Sequence, residues 1–313
     1  MPHQPPSIVF GGTRIGNKPL FMPETSLSLF LEKLAEHSVR KIDTAQSYRN
    51  SEETLGKVEA GKTFTIDTKW SPPSFTEAVG SWATRDNIVH SAEESIRKLG
   101  VKKVDVFYLH RPDPQTALAE TLGAVNEVYS RGLFHQFGLS GCSSSQVEAV
   151  HAHCLAHGYP LPTVYQGSYN AFSRAKETTL IPTLRALQIS FYGYSPSAGG
   201  FLGKSAARAR QLATNLGSVS ATCKPYLREA RFLDALEAWN TIAYDEGISP
   251  AELSYRWMAS HSALDGSHGD CFVFNASSPE QLEETLLAVA KGALSDDASS
   301  RIDNIWRTLD TQR

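Results

Sequence analysis

Four side chains that can hold, donate or orient a proton follow three successive apolar segments of the chain. They are Asp43, Tyr48, Lys69 and His110. A phenol with its ordinary pKa of about 10 is a poor acid at neutral pH, but a neighbouring ammonium stabilises the phenolate and lowers that pKa. A carboxylate would hold the lysine charged, and a histidine can hydrogen-bond a substrate oxygen. Together these residue types predict a proton donor for a carbonyl group that receives hydride.

The spacing of these residues supports this interpretation. In a strand, side chains two positions apart share a face, so Lys69 shares one with Asp67 and His110 shares one with Tyr108. Taken singly, a lysine at a strand end is usually solvated and a lone histidine is usually structural. Residues of all four types at the ends of consecutive predicted strands favour an active site instead.

The elements that must position these residues alternate between short apolar runs and longer amphipathic segments. Strands are predicted at 7–10, 41–44, 64–69, 104–110, 136–140, 163–166, 189–194 and 271–274. Helices are predicted at 27–35, 88–99, 117–131, 144–157, 178–187 and 279–290, with a tail at 302–309. Residues 195–231 form a polar excursion, and two further helices follow it. The second of these begins after Ser249, where proline follows a capping residue.

Strands that alternate with helices predict an α/β fold with a parallel sheet. Eight such units in 313 residues without a dividing linker fit a single (β/α)8 TIM barrel spanning residues 1–313. The barrel would have a long loop after strand seven and a helical tail at its C-terminus. An open doubly wound sheet is the alternative, but the chain has no Gly-x-Gly-x-x-Gly turn. In a barrel of this kind the active site lies at the carboxyl ends of the strands.

The composition and net charge of the chain exclude several classes of function. Hydrophobic residues make up 41% of the chain and the net charge is -3, which argues against nucleic-acid and membrane-surface partners. No apolar stretch approaches the ~20 residues of a membrane span, and no secretion signal is visible at the N-terminus. The four cysteines are scattered. We therefore expect a reduced chain in the cytoplasm.

Several motifs around the four residues resemble those of the aldo-keto reductase superfamily. The resembling segments are 42–48, 51–56, 68–69, 108–113, 138–140, 164–170, 198–200 and 277–283. The similarity spans about residues 7 to 290 and is closest to the aflatoxin-aldehyde reductase, or succinic semialdehyde reductase, branch. It implies NADPH-dependent reduction of an aldehyde or ketone, as by an alcohol dehydrogenase (NADP+).

The resemblance also implies roles for individual residues. Tyr48 would be the general acid, Lys69 would lower its pKa, Asp43 would support Lys69, and His110 would orient the carbonyl. Trp70, beside Lys69, is a candidate wall of the substrate pocket with Tyr48 and His110, or a rim aromatic. NADPH contacts are expected from Ser140, Gln166, Tyr194, Ser195, Ala198, Leu202, Gly203, Lys204, Ser277, Ser278, Gln281 and Thr285. Ser278 and Gln281 fit a capping box, and a helix N-terminus suits a phosphate.

Three residues depart from the family pattern. Gly141 and Thr285 stand where the family usually has asparagine, so an amide contact and an adenine contact are lost or weakened. Asp67 stands where the family tends to have a small residue, and a second inward carboxylate is costly unless paired or protonated. We predict that Lys41, on the neighbouring strand, pairs with Asp67.

Two further motifs are weaker. Residues 198–205 satisfy a loose phosphate-loop pattern, but Pro196 interrupts the approach and no partner acid stands out. His151, Cys154 and His157 share a helical face, but a zinc site normally needs four ligands, so no metal is predicted.

Two other functions remain open. One is a non-catalytic, NADPH-binding regulatory barrel. The other is a tailoring enzyme of secondary metabolism that isomerises or dehydrates its substrate. The sequence does not specify the carbonyl substrate, and a homo-oligomer is one of the open assembly states.

Overall fold

Eight parallel strands close into a barrel in the computed structural model of the chain, which describes residues 4–75, 80–217 and 219–312. The strands are β1 Ser7–Gly11, β2 Lys41–Asp43, β3 Thr65–Trp70, β4 Val104–Leu109, β5 Phe134–Ser140, β6 Pro162–Ser168, β7 Ser190–Tyr194 and β8 Cys271–Phe274. Each strand pairs with the next in the chain, and β8 pairs with β1. The predicted (β/α)8 barrel is therefore confirmed.

Helices follow every strand of the barrel. They are α1 Glu24–Glu36, α2 Ser51–Lys57, α3 Arg85–Leu99, α4 Leu118–Ser130, α5 Ser144–His157, α6 Lys176–Thr179, α7 Ile181–Ala186, α8 Ala206–Ala213, α9 Lys224–Arg228, α10 Ala230–Asp245, α11 Pro250–Ser260, α12 Pro279–Ala290 and α13 Asp296–Thr311. None of the helices in the described ranges combines the length and the hydropathy of a membrane span.

The helix predicted at 178–187 is divided into α6 and α7. Pro182 lies in the first turn of α7, where its missing N–H costs no hydrogen bond, so a new helix begins there. Ser249 caps α11 as predicted, since its hydroxyl accepts the N–H of Glu252. The polar excursion after β7 is more ordered than predicted, because it contains the short helices α8 and α9.

Apolar side chains fill two layers, one inside the barrel and one between its strands and the helices. The inner layer consists of Val9, Val106, Tyr108, Val164, Tyr192, Cys271 and Val273. The outer layer is larger and includes Trp70, Phe107 and the apolar stripes of the helices. Alternation along each strand sends neighbouring residues to opposite layers. The polar site residues therefore share the inner face with only a small apolar cluster.

Candidate active site

The four residues singled out in the sequence lie together at the carboxyl end of the barrel. Asp43 ends β2, Lys69 lies near the end of β3, and His110 follows β4. The Lys69 Nζ lies 5.0 Å from the centre of the Tyr48 ring, and the ring centres of Tyr48 and His110 are 6.0 Å apart. A reacting group beside the Tyr48 phenol would therefore also lie close to the His110 imidazole. The Lys69–Asp43 ion pair lies beneath the phenol.

The ion pair is that of Lys69 with Asp43, and both side chains are buried. The Lys69 ammonium donates at 2.5 Å to each carboxylate oxygen of Asp43 and at 2.8 Å to the carbonyl oxygen of Thr44. The amide of Gln166 also donates to Asp43 Oδ1, at 2.9 Å. Asp43 is therefore bonded directly to Lys69, and its predicted support of Lys69 in catalysis stays a prediction.

The predicted lowering of the Tyr48 pKa by Lys69 is wrong. Burial raises the pKa of Tyr48 well above its usual range, and the Asp43 carboxylate and Tyr194 act in the same direction. Lys69 does not lower this pKa because its three N–H groups bond Asp43 and Thr44, and the Asp43 carboxylate offsets the charge of the ammonium. Tyr48 is therefore a protonated phenol at neutral pH.

His110 is a neutral imidazole. Burial, followed by the charge of Lys69, lowers the pKa of His110 to about 3. Its Nδ1 lies 2.8 Å from the hydroxyl of Ser71, and the ring of Phe75 packs edge-on against it at a centre distance of 5.0 Å. A neutral imidazole keeps one N–H with which to hydrogen-bond an oxygen.

Asp67 lies one layer below the four residues and is fully buried. Burial raises the pKa of Asp67 to about 8, although the charge of Lys41 lowers it in part. Lys41 does not bond Asp67 directly, so the predicted pairing is wrong. The long Lys41 side chain reaches past β3 and bonds Asp105 on β4 at 2.6 Å. Asp67 accepts the N–H of Val106 at 3.2 Å.

Two buried polar atoms beside this layer have no hydrogen-bond partner among the described residues. They are Oδ2 of Asp67 and the hydroxyl of Tyr108. An unpaired carboxylate in such a place is costly, which favours the protonated form of Asp67.

A cavity of about 1350 Å³ opens above the four residues, and Asp43, Tyr48 and His110 form part of its wall. Basic side chains dominate the charged residues that line it: Arg14, Lys18, Arg111, Lys176, Lys204 and Arg208. The acid among the described lining residues is Asp43, whose charge Lys69 already offsets. The cavity is therefore cationic and suits an anionic ligand.

The residues predicted to contact a cofactor divide into two groups. Those that line the cavity are Ser140, Gln166, Tyr194, Ser195, Lys204 and Gln281. Ala198, Leu202, Gly203, Ser277, Ser278 and Thr285 do not line it. Ala198 and Leu202 are fully buried. The buried Thr285 hydrogen-bonds Tyr255, which does line the cavity.

The N-terminus of α12 differs slightly from its prediction. Ser278 caps the helix by accepting the N–H of Gln281. In the predicted capping box the Gln281 side chain would accept the N–H of Ser278. It instead accepts from the N–H and the hydroxyl of the preceding residue, Ser277, at 2.7 and 2.6 Å.

Trp70 does not line the cavity, and its assignment as a substrate wall is wrong. Lys69 points into the barrel, so alternation sends Trp70 to the opposite face. There its ring stacks on Trp82 with centres 4.5 Å apart, in the layer beneath the helices. The aromatic wall near His110 is Phe75 instead.

Sequence reasoning missed several lining residues. Arg14 and Asn275 follow the ends of β1 and β8, so their positions at strand ends were a usable signal. Arg208 lies on α8, within the excursion after β7, where nothing in the local pattern marked it. Tyr255 lies on α11 and reaches the cavity from the helical layer.

The closed barrel and the four side chains clustered at the carboxyl ends of its strands are those of a barrel enzyme. Comparison with known proteins gives the same result, since the profile of the Aldo/keto reductase family matches residues 7–307. The chain belongs to the aldo/keto reductase family.

Three relatives illustrate the similarity. The oxidoreductase sirO of Leptosphaeria maculans is 35% identical over 96% of this chain and 94% of its own. An aldo-keto reductase of Pseudocercospora fijiensis (strain CIRAD86) is 34% identical over 89% of this chain and 97% of its own. Aflatoxin B1 aldehyde reductase member 2 of Rattus norvegicus is 32% identical over 97% of this chain and 85% of its own. The resemblance to the aflatoxin-aldehyde reductase branch is thereby confirmed.

Proposed function

We propose that this protein uses NADPH to reduce an aldehyde or ketone to an alcohol, the reaction of an alcohol dehydrogenase (NADP+). The observation that carries the proposal is the Tyr48 phenol, whose ring lies near the Lys69 ammonium and the His110 imidazole at the wall of a cationic cavity. A relative named an aldehyde reductase supports a small-molecule carbonyl substrate.

The charge of the cavity and a glycine turn in its wall support a phosphorylated dinucleotide as the ligand. Gly199 and Gly200, in the turn Ala198–Gly200, form part of that wall, and Gly199 has φ of +66°. A Cβ at Gly199 would lie 2.9 Å from the backbone nitrogen of Cys223, so only glycine fits there. Backbone without side chains can approach a pyrophosphate closely, and Lys204 lies beside it with its Nζ 2.8 Å from the Gly200 oxygen.

Other side chains would hold the ends of the cofactor. Since the Gln166 amide nitrogen donates to Asp43, its oxygen remains to accept a hydrogen bond from a carboxamide. Tyr194 offers a ring for stacking, and Ser140 lies beside Gln166 in register on β5. Arg14 and Gln281 are the candidates for the adenosine end.

When bound, the reduced nicotinamide supplies a hydride to the carbonyl carbon. His110 donates its N–H to the carbonyl oxygen and orients it, because the imidazole is neutral. Tyr48 then donates its proton to that oxygen as negative charge develops there. An alkoxide is far more basic than a phenolate, so this transfer is downhill even from a phenol with a raised pKa. The Lys69–Asp43 ion pair lies beneath the phenol throughout this step.

Substitution of Tyr48 by phenylalanine tests the proposal. NADPH oxidation with a panel of aldehydes and ketones would measure turnover, and fluorescence titration would measure NADPH binding. A general acid typically contributes about 10²–10⁴-fold. We expect Tyr48→Phe to lower kcat/KM by at least about a hundredfold with NADPH binding retained, whereas the exposed Tyr244→Phe should behave as wild type.

Other results would point to other functions. An unaffected rate in Tyr48→Phe would overturn the assigned role. NADPH binding without turnover of any carbonyl would favour a non-catalytic barrel. Product analysis with and without NADPH would reveal an isomerised or dehydrated product if the protein were a tailoring enzyme. Preference for NADH in the same titration would contradict the cofactor assignment.

A further inference from the structure

Ser71 lies directly behind His110, and no step described above uses it. The residue follows Trp70, just past the end of β3. Its hydroxyl oxygen lies 2.8 Å from Nδ1 of His110, 3.1 Å from the hydroxyl of Ser47 and 3.4 Å from the carbonyl oxygen of Lys69. Ser47 immediately precedes Tyr48 in the chain. These contacts link the two sides of the site through a pair of hydroxyl groups.

The direction of the hydrogen bonds follows from what each partner can still do. A hydroxyl has one proton to donate, and the contact of Ser71 with His110 is the shortest of the three. The Lys69 oxygen already accepts the N–H of Gln46 at 3.2 Å. The Ser47 hydroxyl is the acceptor in its longer contact with Ser71, and because Ser47 is exposed, water can replace that contact. The favoured arrangement therefore places the single Ser71 proton in the shortest contact, the one to Nδ1 of His110.

We propose that Ser71 is a positioning residue that fixes His110 as the tautomer protonated on Nε2. Because Ser71 donates to Nδ1, the single N–H of the neutral ring lies on Nε2, on the far side of the imidazole from Ser71. His110 lines the cavity, so this N–H is the donor presented to a substrate oxygen there. The catalytic consequence rests on the proposed carbonyl reduction.

The other tautomer would present a lone pair at the same place. A carbonyl oxygen and a lone pair repel each other, so a ring protonated on Nδ1 could not orient the substrate. Burial and then the charge of Lys69 lower the pKa of His110 and so disfavour a second proton on the ring, which leaves two neutral forms. The Ser71 hydroxyl makes that choice.

Ring ¹⁵N spectroscopy of the histidines tests the tautomer directly. The His110 signals are identified by their absence in His110→Gln, and the wild type is expected to show protonation on Nε2. Ser71→Ala should lose that preference, and Ser71→Thr, which keeps the hydroxyl, should restore it. Wild-type protein with His110 protonated on Nδ1 would overturn the proposal, whatever the variants do.

Kinetics provide the second measurement. A hydrogen bond contributes about 1 kcal/mol, and 1.4 kcal/mol corresponds to tenfold in rate, so Ser71→Ala should lower kcat/KM by about five- to tenfold. NADPH affinity should stay unchanged. A donor to Nδ1 stabilises the neutral ring, so its loss should also move the acidic limb of the pH profile upward. Ser81→Ala, which removes an exposed hydroxyl bonded to the Gln115 carbonyl, is the matched control.

The two proposals fail in different ways. If the wild type reduces no carbonyl, the proposed function fails, while the ring spectra of wild type, Ser71→Ala and Ser71→Thr still test the tautomer. If reduction occurs but Ser71→Ala matches the wild type in rate, pH profile and spectrum, the role of Ser71 is overturned and the proposed function stands.

Discussion

The Lys69 ammonium has hydrogen bonds for all three of its N–H groups without Tyr48, to the two carboxylate oxygens of Asp43 and to the Thr44 carbonyl. Its charge is therefore largely offset before it can act on the phenol. The arrangement holds Lys69 rigidly below the ring, at 5.0 Å from its centre. It favours a phenol that keeps its proton until a strong base forms next to it.

This arrangement predicts an asymmetric pH dependence. The pKa of Tyr48 is raised, so the proton donor is present throughout the neutral range and reduction should show no basic limb from this group below pH ~10. Alcohol oxidation needs the phenolate, and its rate should rise about tenfold per pH unit. The pKa of His110, about 3, places the acidic limb of reduction below pH ~4.

Initial rates of kcat/KM in both directions against pH would check this prediction, with fluorescence spectra taken to show that the protein stays folded. A basic limb of reduction near neutral pH that is lost in Tyr48→Phe would contradict it. Such a limb would mean that the bound cofactor or substrate releases Lys69 from Asp43.

Several features of this site could be predicted from the sequence, for identifiable reasons. Asp43, Lys69 and His110 occupy strand ends, and the carboxyl ends of parallel strands meet at one face of a barrel, so their proximity follows from topology. Alternation alone would also have placed Trp70 opposite Lys69. The alternation of side chains in a strand was thus enough to place Trp70 correctly. It was assigned to the substrate pocket only because it is next to Lys69 in the sequence.

Other features depend on three-dimensional bonding that the sequence does not contain. The pKa of Tyr48 depends on how Lys69 distributes its hydrogen bonds. The partner of Lys41 depends on the reach of a long side chain across β3 to Asp105. Arg208 lines the cavity because the excursion after β7 folds into a helix over the barrel end, which is set by tertiary packing.

Asp67 predicts an unusual dependence of stability on pH. Its folded pKa of about 8 lies above the ordinary value of 3.8, so between these pH values the folded state holds a proton that the unfolded state has lost. The free energy of unfolding therefore falls as pH rises through this window, by at most about 6 kcal/mol for a shift of about four units. Asp67→Asn should remove that loss.

Urea unfolding of wild type and Asp67→Asn at several values between pH 4 and 9 would measure the effect. The variant should match the wild type near pH 4 and be the more stable by a few kcal/mol at pH 9. Asp86→Asn, at an exposed position, should run parallel to the wild type throughout. Parallel curves for Asp67→Asn would mean that Asp67 is ionised and satisfied in the folded protein.

Lys204 connects the charge of the cavity to the proposed cofactor. Its ammonium bonds the Gly200 carbonyl on the glycine turn and lines the cavity, where a phosphate could accept its remaining N–H groups. Hydrogen bonds to charged groups contribute about 1.5–3 kcal/mol, so Lys204→Met should weaken NADPH binding by about 10- to 100-fold. Salt screens exposed charges, so the variant should also lose part of the salt dependence of binding.

Fluorescence titration of NADPH at low and high salt would measure both the affinity and its salt dependence. Lys204→Arg should keep most of the affinity, and Lys62→Met, at an exposed site on the opposite end of the barrel, should not change it. Equal affinity and equal salt dependence in Lys204→Met would place the anionic part of the ligand elsewhere in the cavity.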